Sequence, residues 1–183
     1  MSTGKNSESS IIVIQARLNS TRLPAKALLP IRGIPMVVLA TKRSANKGKR
    51  VLVVTSEHES DDSLCQYLKL NHIEYFRGSL ENTLERFILA LSDFEDNTIV
   101  HRLTADNVFP DGNLIDELEE EFISKRYEYL ICNGSESGLP YGLSVETFRL
   151  ISLRESYKKT NLAYDLEHVT PYIKRNKNVK YFD

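Results

Sequence analysis

Three basic residues in one loop are the first side chains in this sequence whose types and spacing could do chemistry. Arg17, Arg22 and Lys26 lie five and four positions apart in QARLNSTRLPAK, which follows the apolar run IIVI and contains no acid. Arginine offers paired N–H donors that match two phosphate oxygens at once, and lysine adds a mobile point charge. The loop is either a cradle for an anion or a solvated basic turn, and its composition alone leaves both open.

A carboxylate holds a comparable position further along the chain. The segment TAD ends a predicted strand, and Asp106 is its last residue. Beside clustered arginine and lysine, a carboxylate suits a phosphate site when Mg²⁺ lies between them, because this cation takes oxygen ligands from both. A local turn or helix cap before Asn107 explains the same residue equally simply. Asp106 is therefore a predicted magnesium ligand with a structural alternative.

Two other strand ends carry weaker candidates. Thr55, followed by Ser56 and Glu57, ends one strand, and Arg77 stands with Gly78 just before a helix. Their polar groups could contact a nucleoside or a phosphate, although ordinary turn chemistry accounts for them as well. The four histidines are scattered without the spacing of metal ligands, so a transition-metal site is not expected.

Charge is distributed unevenly along the chain. The net charge is −1, yet between Glu8 and Glu57 there are nine basic residues and no acid. This asymmetry places positive potential on one part of the fold and favours an anionic ligand. Residues 11–56 contain no aromatic side chain for stacking on bases, so nucleic acid is not the expected partner.

The elements that must position these residues alternate along the chain. Amphipathic helices, the clearest at 80–92, separate five strands. The strands are predicted at 11–14, 50–56, 73–76, 98–103 and 127–132. Such alternation predicts an α/β fold, a three-layer α/β/α sandwich with a mostly parallel sheet. Ligands of these sheets bind outside the carboxyl ends of the strands. The loops expected to meet there are 15–26, 55–62 and 104–111.

The chain is predicted to form one domain over residues 11–183, after a polar, disordered lead-in at 1–10. No apolar run approaches the length of a membrane span, and the lead-in lacks the apolar core of a signal peptide. Cys65 and Cys132 fall in apolar patterns, which favours buried thiols over a disulfide. These observations predict a cytoplasmic protein without a membrane partner.

Several ordered blocks together resemble a known family. The opening QARLNSTRLPAKALLPIRGIPM is similar to a segment of the cytidylyltransferases that include the CMP-sialate and CMP-Kdo synthetases, in the branch like spore coat polysaccharide biosynthesis protein F. Further segments of that family are resembled by FRGSLENTLERF, VHRLTADNVFPD, GLPYGLSVETF and EHVTPYIKRN. The likeness runs from about residue 11 to 183.

The resemblance implies a nucleotide-diphospho-sugar transferase-like fold and a Mg²⁺-dependent reaction, in which a sugar hydroxyl attacks the α-phosphate of CTP and releases pyrophosphate. It implies that Arg17, Arg22 and Lys26 hold the triphosphate and that Asp106 binds Mg²⁺. The remaining expected contacts are Ala16, Thr55 and Arg77 with the nucleotide, and Glu146 on the sugar or metal side. The expected acceptor is a sialic-acid-like or related acidic sugar for surface polysaccharide, and the expected assembly is a homodimer.

The chain departs from the family pattern at four positions. Ser144 and Asn82 stand where the pattern has Asp, Ala105 where it has Gly, and Val108 where it has Pro. The chain is also expected to lack the family's C-terminal strand and helix, which often supply a second carboxylate for the metal. The alternative to an active enzyme is therefore a non-catalytic relative that binds nucleotide or assembles with a partner.

Overall fold

The computed structural model of the protein describes residues 9–19, 23–134 and 136–182. The strands in this part of the chain are β1 (Ser10–Gln15), β2 (Pro30–Ile31), β3 (Ile34–Pro35), β4 (Val51–Ser56), β5 (Tyr75–Gly78), β6 (Ile99–Thr104), β7 (Tyr129–Cys132), β8 (Val145–Arg149) and β9 (Val179–Tyr181). The α-helices are α1 (Met36–Ser44), α2 (Asp62–Leu70), α3 (Thr83–Ala90), α4 (Gly112–Ser124), α5 (Leu150–Lys159), α6 (Ala163–His168) and α7 (Pro171–Asn176). Short 3-10 turns occupy Lys26–Leu28 and Glu59–Asp61.

Seven strands form one sheet in the order β5-β4-β1-β6-β8-β7-β9, and β2 pairs with β3 in a separate hairpin. Neighbouring strands of the large sheet run parallel except at β8, which is antiparallel to both β6 and β7. Gln15 at the end of β1 lies beside Val54 of β4 and Thr104 of β6. The predicted mostly parallel sheet is confirmed, and β1, β4 and β6 end at one edge.

Helices cover both faces of the sheet because its central strands are apolar on both sides. On β1, Ile12 and Ile14 belong to a core cluster with residues of α1, α2 and α4. Ile11 and Val13 belong to a second cluster with residues of α3, α5 and α7. All four side chains are fully buried. The predicted three-layer α/β/α sandwich is confirmed, with the sheet dividing its core.

The helix predicted at 80–92 begins later than its apolar periodicity indicates. α3 starts at Thr83 because the side-chain oxygen of Asn82 accepts a hydrogen bond from the backbone N–H of Glu85 at 2.9 Å and caps the helix. The residues before the cap form the loop that leads from β5 into α3. Asn82 thus has a structural role that Asp, the residue of the family pattern, could fill as well.

The hairpin of β2 and β3, which follows the basic loop, was not predicted. Arg32 and Gly33 at its tip have φ values of 49° and 81°. Two adjacent positive φ values are the geometry of a tight two-residue hairpin turn, and Gly33 adopts it without steric cost. The strands are only two residues long, which is too short for a pattern of alternation to reveal them.

The predicted lead-in, residues 1–10, falls almost entirely outside the described residues. Ser10 already pairs with Ile99, so β1 begins one residue before the predicted domain. No helix in the described ranges is long and apolar enough to cross a membrane. Cys65 and Cys132 are buried free thiols, as predicted. Burial raises the pKa of Cys132 to about 11, which makes it a poor nucleophile.

Candidate active site

The predicted site lies at the edge of the sheet where β1, β4 and β6 end. Because Gln15 lies beside Val54 and the end of β6, the loops that follow these three strands start side by side. β8 begins at the same edge, where Glu146 lies opposite Arg102 of β6. The last turn of α6 reaches this edge through Glu167. Five parts of the chain therefore meet where the sequence predicted three loops.

The basic loop is anchored at its base by three backbone N–H groups. The N–H of Ala16 donates to the carbonyl of Val54 at 3.1 Å, and the N–H of Leu18 donates to a carboxylate oxygen of Asp61 at 2.7 Å. The N–H of Ala25 donates to the carbonyl of Leu18 at 2.9 Å and closes the loop. Ala16, a predicted nucleotide contact, has a buried side chain, so only its backbone is available to a ligand.

Lys26 and Asp106 meet across the edge. Ala25, in the left-handed region with φ 57°, opens the 3-10 turn whose first residue is Lys26. Its Nζ lies 2.8 Å from Oδ2 of Asp106, and the hydroxyl of Thr104 donates to the other carboxylate oxygen. Burial acts to raise the pKa of Asp106, but the hydrogen bonds from Lys26 and Thr104 outweigh it and hold this pKa below its usual value. Asp106 is therefore an ionised carboxylate in contact with the basic loop.

Arg17 forms a second ion pair, on another side of the loop. Its Nη2 lies 3.2 Å from Oε1 of Glu167, and the two side chains are 35% and 48% exposed. Arg22, the third predicted cation, lies outside the described residues, so its place in the site stays a prediction. Both described cations of the loop are thus paired with carboxylates from distant parts of the chain.

Asp61 joins the basic loop to β4, and sequence reasoning missed it. Its side chain is fully buried and accepts hydrogen bonds from the Thr55 hydroxyl at 2.9 Å, the Ser56 N–H at 3.0 Å, the Ser56 hydroxyl and the Leu18 N–H. A buried carboxylate persists only when such donors satisfy it. Thr55, a predicted cytidine contact, is itself fully buried with its hydroxyl on Asp61. The observed role of Thr55 is therefore to fix the loops, and its contact with a nucleotide stays a prediction.

Arg77 shapes the turn after β4. Its Nε donates to the carbonyl of Ser56 at 2.9 Å, and its Nη2 donates to the carbonyl of His58 at 3.0 Å and pairs with Asp62 at 2.8 Å. The hydrogen bond with Asp62 raises the pKa of Arg77. The residue lies at the predicted edge, but these contacts are all to the protein. Its contact with a nucleotide also stays a prediction.

Glu146 lies at the centre of a buried polar cluster. It accepts from Nη1 of Arg102 and Nζ of Lys174, the latter at 2.6 Å, and the Thr170 hydroxyl lies within 3.3 Å of both its oxygens. Arg102 also donates to the side-chain oxygen of Gln15 at 3.0 Å. Burial acts to raise the pKa of Glu146, but Arg102 and Lys174 lower it to about 2. The side chain is only 10% exposed, so a sugar or metal would have to replace one of these partners.

A strained turn joins α6 to α7. Val169 has φ 73° and ψ −53°, and the N–H of Thr170 donates to the carbonyl of His168 at 2.9 Å. This is a three-residue γ-turn in a region that is rare for any residue and costly for a β-branched one. The Val169 side chain is fully buried, so packing holds the turn in place. The turn fixes Glu167, which contacts the basic loop, relative to Thr170, which contacts the buried cluster.

Asp106 has the properties of a Mg²⁺ ligand. It is an ionised oxygen donor whose side chain is 42% exposed at the end of a strand. Within the described residues, no group of three or more His, Cys, Asp or Glu side chains is placed to hold a metal ion. This donor set fits a hard cation that takes most of its ligands from phosphate oxygens and water.

Three further side chains at this edge were not found from the sequence: Arg102, Glu167 and Lys174. They lie in the blocks VHRLTADNVFPD and EHVTPYIKRN, so the family resemblance indicated the segments but not these residues. The pair of Arg17 with Glu167 spans 150 positions, and no local pattern reports a contact of that separation.

The fold and the residues at this edge together indicate a protein that binds an anionic ligand. Parallel α/β sheets bind ligands at the carboxyl ends of their strands, and here cations and an ionised carboxylate converge at that place. A basic loop beside an ionised, partly exposed carboxylate is chemistry suited to an anionic ligand that carries a divalent cation.

Comparison with known proteins narrows this class. The sequence model of the family described as cytidylyltransferase matches residues 11–182. Spore coat polysaccharide biosynthesis protein SpsF of Bacillus subtilis is 30% identical over 177 residues, a match covering 91% of this chain and 70% of SpsF. The uncharacterized protein MJ1063 of Methanocaldococcus jannaschii is 32% identical over 169 residues, covering 91% of this chain and 68% of that protein.

Solved structures agree with these relatives. A cytidylyltransferase from Leptospira borgpetersenii gives a TM-score of 0.86 at 28% identity, covering 96% of this chain and 76% of its own. CMP:2-keto-3-deoxy-manno-octonic acid synthetase complexed with CTP gives a TM-score of 0.71 at 17% identity, covering 96% of this chain and 89% of the synthetase. This second likeness is one of fold. The chain belongs to the cytidylyltransferase family and to its SpsF-like branch, as its sequence predicted.

Proposed function

We propose that the protein transfers CMP from CTP to a hydroxyl of an acidic, sialic-acid-like sugar and releases pyrophosphate. The observation that carries the proposal is the contact between Lys26 and Asp106, Nζ to Oδ2 at 2.8 Å, in a chain of this family. It joins the loop proposed to hold the triphosphate to the carboxylate proposed to hold the metal.

The proposed reaction is a displacement at phosphorus. The sugar oxygen forms a bond to the α-phosphorus of CTP, the bond from that phosphorus to the bridging oxygen of the β-phosphate breaks, and pyrophosphate leaves with the electron pair. The hydroxyl proton passes to solvent. Such a step depends on in-line positioning and on neutralising negative charge rather than on covalent help from the protein. Cations around the phosphates meet both needs.

The proposed roles draw on the contacts at the edge and, for Arg22, on the sequence alone. Arg17, Arg22 and Lys26 bind the triphosphate, and Lys26 exchanges its ion pair with Asp106 for phosphate oxygens. Asp106, ionised because Lys26 and Thr104 lower its pKa, supplies one ligand to Mg²⁺. The cation would neutralise phosphate charge in the transition state.

The proposal extends to an acceptor and a setting. Glu146 is proposed to lie on the sugar side, where it holds Lys174, a cation 40% exposed and suited to a sugar carboxylate. The name of SpsF supports a product used for surface polysaccharide. We also propose that the protein is a homodimer and is located in the cytoplasm. Both of these proposals rest on the sequence alone.

A second candidate function is nucleotide binding without turnover. It is favoured by Ser144, which stands where the family pattern has Asp, and by the lack of any group of three or more metal-ligating side chains within the described residues. This candidate predicts affinity for CTP that depends little on metal, and no product.

Pyrophosphate release distinguishes the two functions. The protein is incubated with CTP, Mg²⁺ and a panel of sialic-acid-like sugars, with ATP, GTP and UTP as control nucleotides, and CTP binding is measured in parallel by calorimetry. Release with CTP and at least one acidic sugar is expected. Binding of CTP with no release from any sugar would remove the catalytic proposal and leave the second candidate.

A further inference from the structure

Glu167 is placed to compete with phosphate for Arg17. In the free protein, Nη2 of Arg17 lies 3.2 Å from Oε1 of Glu167. In the free protein that carboxylate therefore occupies one of the donor groups that Arg17 could offer to phosphate oxygens. The two side chains of the pair are partly exposed to solvent, and pairs of this kind contribute little to stability, so a polyanion can displace Glu167 at low cost.

Glu167 lies in a segment that several contacts hold in place. Directly after α6, the Val169 side chain is fully buried and its γ-turn fixes the chain direction. Thr170 then contacts the buried cluster through Glu146. Within α6, Asp165 pairs with Arg175 of α7 at 2.6 Å. The carboxylate of Glu167 is therefore presented from a segment tied to the core on both of its sides.

Arg17, by contrast, reaches Glu167 through a long side chain that extends from the base of the basic loop. The N–H groups of Ala16, Leu18 and Ala25 hold that base. The Arg17 side chain extends from it and is 35% exposed. The Arg17 guanidinium can therefore leave Glu167 by rotation about its side-chain bonds, without movement of the loop base.

The negative charge of Glu167 determines whether this residue favours or opposes nucleotide binding. A triphosphate brought to Arg17 carries several negative charges close to the Glu167 carboxylate, and like charges at short range repel even near a surface. Glu167 therefore opposes nucleotide binding twice, by occupying Arg17 and by repelling the phosphates. A monophosphate carries less charge and meets less of this opposition.

We propose that Glu167 is a positioning residue that holds Arg17 in the free protein and is displaced by the phosphates of the nucleotide. This inference rests on the proposed function, since it takes the triphosphate of CTP as the displacing group. Removing the charge of Glu167 should tighten CTP binding, whereas removing most charged residues of a binding site weakens it.

The test measures CTP and CMP dissociation constants by calorimetry at low salt for the wild type, Glu167→Gln and Glu128→Gln. Glu128 is the matched control, because it is half-exposed, contacts Lys177 at 3.7 Å and precedes β7 at the opposite end of the sheet. Glu167→Gln should bind CTP about threefold to tenfold more tightly, with a smaller gain for CMP. Glu128→Gln should match the wild type.

A double-mutant cycle isolates the contact. Arg17→Gln removes the residue over which Glu167 and phosphate compete, so the gain from Glu167→Gln should shrink in that background to the part that comes from repulsion of the phosphates. An unchanged or weaker CTP affinity in Glu167→Gln overturns the inference while leaving the proposed function in place. Failure of the wild type to bind CTP at all overturns the proposed function and the inference with it.

Discussion

Lys26 and Asp106, eighty positions apart in sequence, lie with Nζ and Oδ2 at 2.8 Å. The contact forms because β1 and β6 are neighbours in the sheet and end in register, with Gln15 beside Thr104. Each partner neutralises the other in the free protein. A ligand that carries both a phosphate and a metal ion replaces one ion pair with two favourable contacts, so nucleotide and metal should bind cooperatively.

Asp106→Asn tests the metal side of this contact. A neutral amide is a weaker ligand for Mg²⁺ than a carboxylate, so pyrophosphate release that depends on Mg²⁺ should be abolished. Lys26 loses its partner and becomes available to phosphate, so CTP affinity without metal should be kept or increased. The stability loss should stay below about 1 kcal/mol, because the pair is exposed. Turnover that still depends on Mg²⁺ would place the metal elsewhere.

Asp61→Asn tests whether the hydrogen bonds of Asp61 hold the base of the basic loop. The amide replaces one acceptor oxygen with a donor, so at least one of the N–H and O–H groups that Asp61 now satisfies is left buried without a partner. The expected cost is about 2–3 kcal/mol, together with weaker CTP binding because the loop base is released.

Asp62→Asn is the control for this prediction. Asp62 is adjacent in sequence, but its side chain is 57% exposed and contacts Arg77 at 2.8 Å. Its loss should cost less than about 1 kcal/mol. Urea unfolding of both variants makes the comparison, and equal losses would show that Asp61 does not hold the loop.

Glu146 should make stability depend on pH in acid. Its pKa is lowered from 4.5 to about 2 in the folded protein, so its contribution is complete above about pH 4.5 and is lost as the pH falls towards 2. The difference corresponds to about 3 kcal/mol. Glu146→Gln should flatten the free energy of unfolding over this range by about that amount. It should also lower stability at neutral pH, because Arg102 and Lys174 lose their carboxylate. Unfolding curves from pH 2 to 7 measure both effects, and an unchanged slope would contradict the assignment.

The fold was predictable because it depends on local patterns. Runs such as IIVI and VLVV are apolar on both faces, and strands of that kind need helices on both sides. Asp106 was predictable for the same reason, since it follows a buried strand whose end must lie at the ligand edge. Family resemblance added expected roles for the basic residues, which spacing alone had left open and which stay predictions.

The contacts that hold the site residues in place were not predictable, because they form only once the register of the sheet brings distant residues together. Asp61 reads as one of two acids at the start of a helix, and nothing local shows that it will be buried beneath the basic loop. Glu146 was expected on the sugar or metal side, and that role stays a prediction. Its contacts with Arg102, Lys174 and Thr170 are visible only in the structure.

The γ-turn at Val169 predicts that a glycine variant will be more stable than an alanine variant there, the reverse of the usual order. Val169→Ala and Val169→Gly both remove the same buried branched side chain. At most positions the glycine variant is the less stable by about 0.5–1 kcal/mol, since glycine loses more conformational freedom on folding. At φ 73° the alanine variant keeps the clash of its Cβ and the glycine variant does not, so Val169→Gly should be the more stable by about 1 kcal/mol.

Val100 supplies the matched control for this comparison. It is equally buried but is the second residue of β6, paired with Ile11 and Phe148 in extended backbone that suits alanine. There the alanine variant should be more stable than the glycine variant, and urea unfolding of the four proteins compares the two orders directly. The same order at both positions would mean that Val169 stores no strain. A reversal at Val169 alone would show that packing of the core holds a strained turn two residues after Glu167.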